Sequence, residues 1–316
     1  MPAHRIDVHH HIVTPRWLAE ERERMSARAM DFDRVAAWTP AMSLEAMDKN
    51  GIATAITSIS TVIVRPGEPD RAHALARDSN EFATRLAHDH KGRFGTFALL
   101  PLPHIDLCLK EIDYAANVLK CDGFKLQTNY EDKWPGDPAF APVFDELNRR
   151  KATIFFHPTV CSRCLDLLPG MNAPLMEYPF DTTRAIASLM FGGTFRRCPD
   201  INFIFAHGGG TMPMLAYRIG GLVKRRKDLA DQLPNGIMPE LQKLNFDVVS
   251  VTNPPAMSAL LKLTTPRRLL FGSDCPYVRI DDTVEELQQM GLSAADLAAI
   301  ERGNALALMP TLEHRP

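Results

Sequence analysis

Eight short apolar segments, each rich in β-branched or aromatic residues and bounded by turn residues, recur along the chain and limit what it can fold into. They are 4–12, 52–60, 93–100, 122–128, 152–157, 201–207, 244–251 and 268–274. Between them run amphipathic stretches of helical period, among them 43–50, 70–88, 106–119, 139–149, 182–197 and 255–263. Strands that alternate with helices pair in parallel. Eight such units in 316 residues predict an α/β fold of the closed (β/α)8 type, a TIM barrel, over an open doubly wound sheet.

The connections are unequal. Those entering the strands are brief and polar, such as Lys49-Asn50-Gly51 and Lys91-Gly92, whereas 13–42 after the first strand and 158–181 after the fifth are long. A barrel enzyme carries its working loops at the C-terminal ends of its strands, so the chemistry is expected there. With 45% hydrophobic and 23% charged residues, the chain can bury one large core as a single domain over 1–316. A net charge of −2 without long runs of one sign excludes an electrostatic case for a nucleic-acid or membrane partner and favours a small molecule. Six cysteines are too few for a disulfide scaffold. With no secretory segment or long apolar run, a reduced, cytoplasmic protein is expected.

Four strand ends carry the functional residues. In the first segment residues i and i+2 share a face, so His9 and His11 point one way while His10 points into the helix layer. The fifth ends in Phe156-His157-Pro158, the sixth in Ala206-His207-Gly208-Gly209-Gly210, and the eighth in Gly272-Ser273-Asp274-Cys275-Pro276. On one barrel rim these side chains can meet as a metal site with a base beside it. Imidazole and carboxylate donors suit zinc better than magnesium or calcium.

With DVHHH at the start, GFKLQTN in the middle, AHGGG followed by Pro213 and Arg218, and GSDCP near the end, the chain resembles the amidohydrolase superfamily over nearly its whole length. It is most similar to the branch of carboxymuconate-semialdehyde, salicylate-type and resorcylate-type decarboxylases. The resemblance implies a distorted barrel with one metal ion held by His9, His11, His157 and Asp274, and His207 as acid/base beside it. The His-x-His opening is the zinc arrangement, with manganese the alternative. Arg218 is expected to reach into a partner subunit's site and clamp a substrate carboxylate, which implies a homodimer or higher oligomer.

Decarboxylation of a small hydroxybenzoate or a conjugated unsaturated acid needs a group to grip the carboxylate and a proton for carbon. His207 can move that proton, with Asp274 sharing it. The alternative is a hydrolase or hydratase that turns a metal-activated hydroxide on a lactone, amide or carbon–carbon bond; a non-catalytic binding barrel is a third class. Lys125 is expected to hydrogen-bond or pair in the barrel mouth, leaving one metal; as a carboxylated bridge to a second metal it would instead favour hydrolysis. Tyr178-Pro179-Phe180-Asp181-Thr182 is expected to open a helix, with Asp181 or Thr182 as N-cap and the aromatics, Phe180 above all, as a substrate wall. Trp38 is expected to cover the site from the other side. The carboxymuconate-semialdehyde relative has a second substrate arginine in its first loop; here that loop differs, and Arg28 and Arg34 are candidates with neither in the matching position. His88-x-His90 falls on the opposite rim, and Cys161-x-x-Cys164 lacks a second pair to complete a four-cysteine site.

Overall fold

All eight apolar segments become parallel strands in the computed structural model, which describes residues 3–28, 32–62, 64–165, 167, 168 and 170–314. The strands are β1 (Arg5–His11), β2 (Ile52–Ser58), β3 (Phe94–Leu99), β4 (Gly123–Gln127), β5 (Thr153–His157), β6 (Asn202–Phe205), β7 (Asn245–Asp247) and β8 (Leu269–Leu270). Each pairs with the next in sequence order. The ring closes through the backbone after β8, where Val8 N donates to Phe271 O at 3.0 Å, Asp274 N to His9 O at 2.7 Å and His11 N to Cys275 O at 2.7 Å.

Around the barrel lie α1 (Pro15–Arg28), α2 (Phe32–Ala36), α3 (Pro40–Lys49), α4 (Pro69–Asp89), α5 (Ile105–Tyr114), α6 (Ala141–Arg149), α7 (Pro174–Phe191), α8 (Thr194–Arg197) and α9 (Met212–Val223). Later helices include α10 (Lys227–Ala230), α11 (Met238–Leu241), α12 (Pro254–Leu263), α13 (Ile280–Gln288), α14 (Ala294–Ala298) and α15 (Asn304–Leu308). Among the described residues no helix is long and apolar enough to cross a membrane.

Two corrections concern the connections. The stretch after β1 is long but largely helical, because α1 and α2 fill it; Trp17 is fully buried there and donates its indole N–H to Thr61 O at 2.9 Å. After β5 the helix begins at Pro174, so Tyr178, Pro179 and Phe180 lie inside it instead of opening it. Both prolines suit a first turn. Pro174 takes that place, leaving Asp181 a buried residue of the inner face and not a cap.

The barrel interior holds Ile6, Val8, Ile56, Phe97, Phe155, Ile204, Ala206 and Leu270, with Ala305, Met309 and Leu312 closing its N-terminal end. A larger apolar layer, with Ala55, Phe156, Phe205 and Phe246 from the strands and Leu75, Ile112, Phe144 and Ile186 from the helices, binds sheet to helices.

β1 departs from simple alternation. Its register against β2 runs from Asp7–Ala55 to His10–Thr57, three steps on β1 against two on β2. The extra residue is a β-bulge, which re-aims side chains. Val8 and His9 therefore both face inward, His9 with its ring centroid 4.9 Å from that of Phe155. Asp7 and His10 both face outward, where His10 Nδ1 meets Asp7 Oδ2 at 3.0 Å and His10 Nε2 meets Ser43 Oγ of α3 at 2.8 Å.

Where β8 runs on past β1 and β7, the interior position is Gly272. A Cβ there would lie 2.9 Å from the Cβ of His9 and 3.0 Å from that of Asp247. Gly272→Ala is therefore expected to destabilise the fold by about 1–3 kcal/mol, read as a lower urea midpoint with an unchanged slope. An unaltered midpoint would contradict this packing.

Candidate metal centre

The inward residues at the ends of β1, β5 and the segment after β8 meet at one point. One ligand atom from each of His9, His11, His157 and Asp274 lies within 4.8 Å of all the others. His11 Nε2 is 3.0 Å from His9 Nε2, 3.2 Å from His157 Nε2 and 3.0 Å from Asp274 Oδ1. Nearly perpendicular rings make this approach possible, His9 to His11 at 89° and His11 to His157 at 87°.

Each ring has its other nitrogen committed elsewhere. His9 Nδ1 donates to Asp247 Oδ2 at 2.7 Å, His11 Nδ1 to Ser58 O at 3.2 Å, and His157 Nδ1 to Pro158 O at 2.9 Å. A carboxylate or carbonyl can only accept, so the protons sit on Nδ1 and the Nε2 lone pairs face the centre. Asp274 Oδ1 is buried and accepts no hydrogen bond from a described residue. Four electron-pair donors thus converge with no proton among them, an arrangement that calls for a cation.

The donor set and its spacing fit a divalent ion. Bonds of about 2.1 Å put neighbouring ligands roughly 3.0 Å apart in an octahedron and roughly 3.4 Å apart in a tetrahedron, and the observed separations among these atoms start at 3.0 Å. Electrostatics tell the same story. Burial opposes a charge on His9, yet the Asp274 and Asp247 carboxylates outweigh it and raise its pKa to about 10. Burial lowers His11 to about 4 and His157 well below its ordinary value, helped by the neighbouring imidazoles. Against the cost of burial, the positive charge of His9 foremost keeps Asp274 well below the carboxylate range. Without an ion, a proton on His9 supplies the positive charge.

His207 stands beside this cluster, its Nε2 3.5 Å from Asp274 Oδ2 and its buried Nδ1 without a partner among the described residues. Both His207 and Asp274 hold left-handed backbone, with φ of 54° and 57°. Side chains with a Cβ seldom adopt it, and it is concentrated at functional sites. Behind His207, Gly210 at φ 66° leaves no room for a Cβ, which would fall 2.0 Å from Pro179 O. Asp247 joins the two halves: one oxygen takes the His9 proton, the other the backbone N–H groups of His207 at 2.8 Å and Val249 at 3.1 Å.

Residues 6–310 match the amidohydrolase family. This chain belongs to that family. The amidohydrolase is 33% identical over 331 residues to decarboxylase yanB of Aspergillus niger, covering 98% of this chain and 88% of that one. It is 30% identical to the 6-methylsalicylic acid decarboxylase of Penicillium expansum, over 98% and 97% of the two chains. A Polaromonas dihydroxybenzoic acid decarboxylase, solved with bound manganese and the inhibitor 2-nitroresorcinol, superposes with a TM-score of 0.84 at 20% identity, over 98% and 97% of the chains. At that identity the superposition establishes the shared fold.

Several expected residues fall elsewhere. Trp38 is packed in the outer apolar layer and donates its indole N–H to Ser43 Oγ at 2.8 Å, on the hydroxyl that His10 also meets, so it does not cover the cluster. Phe180 is half-buried; Tyr178, two residues earlier on α7, is the aromatic against His157, at 6.0 Å, while Tyr277 lies 5.5 Å from His11. Arg34 is tied to Tyr277 O at 3.0 Å, and the Arg28 side chain lies outside the described residues. Arg218 is not among these: it is exposed on α9, open to a second copy. Lys125 Nζ donates to Ser60 O at 2.8 Å; a carbamate there would set oxygen against oxygen, and among the described residues no second ligand cluster exists. Sequence reasoning missed Asp7 and Asp247, although an aspartate inside an otherwise apolar strand was a usable signal for each.

A proton on His9 with a pKa of about 10 must leave when an ion enters. Zinc affinity is accordingly expected to rise about tenfold per unit between about pH 7 and pH 9, with about one proton released per ion. Titration against a competing chelator at several pH values measures both. Asp247→Asn is expected to weaken binding about 10- to 100-fold and to flatten that slope, because a neutral amide no longer holds the proton on His9.

Proposed function

We propose that this amidohydrolase is a carboxy-lyase: a metal-dependent, non-oxidative decarboxylase of a small aromatic hydroxy acid of the salicylate type. Near full-length similarity to two curated decarboxylases carries the reading, and the convergent donor set supports it.

In this reading His9, His11, His157 and Asp274 hold the ion, and zinc is the proposed one because three imidazoles and one carboxylate are borderline donors. When bound, the ion supplies positive charge for the substrate carboxylate and its neighbouring hydroxyl. Tyr178 and Tyr277 form walls for the ring. His207 is the residue that delivers a proton, and Asp274 Oδ2 lies 3.5 Å from its Nε2. The proton passes to the ring carbon that bears the carboxylate; the carbon–carbon bond then breaks, its electron pair returns to the ring, and CO2 leaves. Manganese, present in the Polaromonas relative, is the competing ion. Elemental analysis of the purified protein decides between them.

Oligomerisation belongs to the same reading. Helix α9 exposes Met214 at 73% and Tyr217 at 75%, an apolar surface beside Arg218 that a second copy would cover. Arg218 would then serve as a bidentate carboxylate clamp in the partner's site. Six unpaired cysteines agree with a reduced, cytosolic setting.

The metal-loaded enzyme is expected to release CO2 from 6-methylsalicylate or a close hydroxybenzoate. His207→Asn should lower kcat by about 10²- to 10⁴-fold while metal content stays at the wild-type level. No CO2 from any hydroxybenzoate, measured with the ion bound, would overturn the assignment.

A further inference from the structure

At the end of β4, Gln127 is 1% exposed and has a side-chain nitrogen with no hydrogen-bond partner among the described residues. The orientation of its amide is settled by a neighbour. The backbone N–H of Val62 lies 2.7 Å from Gln127 Oε1, and a backbone N–H can only donate, so the oxygen faces Val62 and the NH2 group is the end left over. Buried N–H donors in folded proteins are normally paired. A buried amide with both protons unused therefore marks a place where something else accepts.

Its position says what kind of acceptor. Gln127 is the register partner of His157 across β4 and β5. Strand alternation places it on the face of Lys125, whose Nζ donates to Ser60 O at 2.8 Å, while Phe124 and Leu126 join the outer apolar layer. The free amide thus belongs to the interior face, level with a proposed metal ligand, in a sector that already carries a buried lysine. β4 lies across the ring from β8, which leads into Asp274. Nor is it a loose end. Its own backbone N–H donates to Tyr130 Oη at 2.9 Å, and the next two residues, Thr128 and Asn129, are held by Asp181 Oδ2 at 2.6 and 2.5 Å. Such a held donor is preorganised for an anionic ligand.

We infer that Gln127 is a substrate-binding residue whose side-chain NH2 donates to an oxygen of the bound aromatic acid, either the carboxylate or the hydroxyl next to it. This rests on the decarboxylase reading for the identity of the ligand. Gln127 then fixes which way round the ring enters, because only an oxygen on the β4 side satisfies the amide.

Two variants separate a donor from a structural latch. Gln127→Glu keeps an oxygen for the Val62 N–H and removes the NH2, whereas Gln127→Met removes both. Metal-loaded wild type and variants are titrated with two unreactive probes, 2-nitroresorcinol and benzoate, and KM and kcat are read in parallel for the hydroxybenzoate that the wild type decarboxylates. The donor role predicts that both variants raise KM and weaken 2-nitroresorcinol by at least about tenfold, with metal content and urea midpoint of the Glu variant near wild type. Benzoate weakened equally identifies the acceptor as the acid oxygen; benzoate unaffected identifies the hydroxyl. If the Glu variant binds and turns over like wild type, the role is that of a latch on Val62 and the inference is overturned. A wild-type enzyme that binds neither probe and releases no CO2 takes the decarboxylase reading down with it, an outcome distinct from active wild type with unaffected variants.

Discussion

Three imidazole lone pairs and a carboxylate oxygen aimed at one point repel each other unless positive charge joins them. Much of the barrel mouth is arranged to make that convergence permanent. The Nδ1 proton of each ring is held by an acceptor on a neighbouring strand or loop, so no ring can turn its N–H toward the centre. The price is paid in backbone strain and in glycine, with left-handed residues at His207 and Asp274 and no side chain tolerated at Gly272 or Gly210.

The same constraint explains how the ring closes. β8 is only two residues long, and what seals it to β1 is the segment that delivers Asp274. Asp7 anchors that segment: its carboxylate accepts the backbone N–H groups of both His9 and Ser273 at 3.0 Å. On the outer side His10 extends the network to Ser43 and Trp38. A histidine between two proposed ligands thereby ties the metal strand to α3, and its chemical identity with them is no guide to its role. Asp247 does the equivalent task on the far side, joining β7 to both His9 and the left-handed turn of His207.

The surroundings of the cluster suit an aromatic acid better than a substrate that needs a two-metal site. Tyrosine rings stand against two of the histidines, and a buried lysine and an amide donor line the β4 side. Because Lys125 is engaged by a carbonyl, the polar sector offers donors to an incoming anion instead of ligands to a second ion.

The sequence by itself determined, through local patterns along the chain, the fold class, all eight strands within a few residues of their ends, and the histidines and aspartate at strand ends from which the family resemblance picks the four donors: an apolar run, a helical period, a titratable residue at a strand end. Its reading of β1 reached the right pair of histidines through an alternation that the strand does not keep; the bulge that pairs Asp7 with His10 outside and leaves Val8 and His9 inside comes from register against β2. Pro174 and Pro179 are equally good first-turn residues for α7, and only packing of Asp181 against Thr128 and Asn129 chooses between them. Trp38 became core, Tyr178 and Tyr277 came to stand against His157 and His11, and Asp247 became the partner of His9. Those choices depend on which residues, hundreds of positions apart, end up within about 3 Å, and no pattern along a single chain carries that distance.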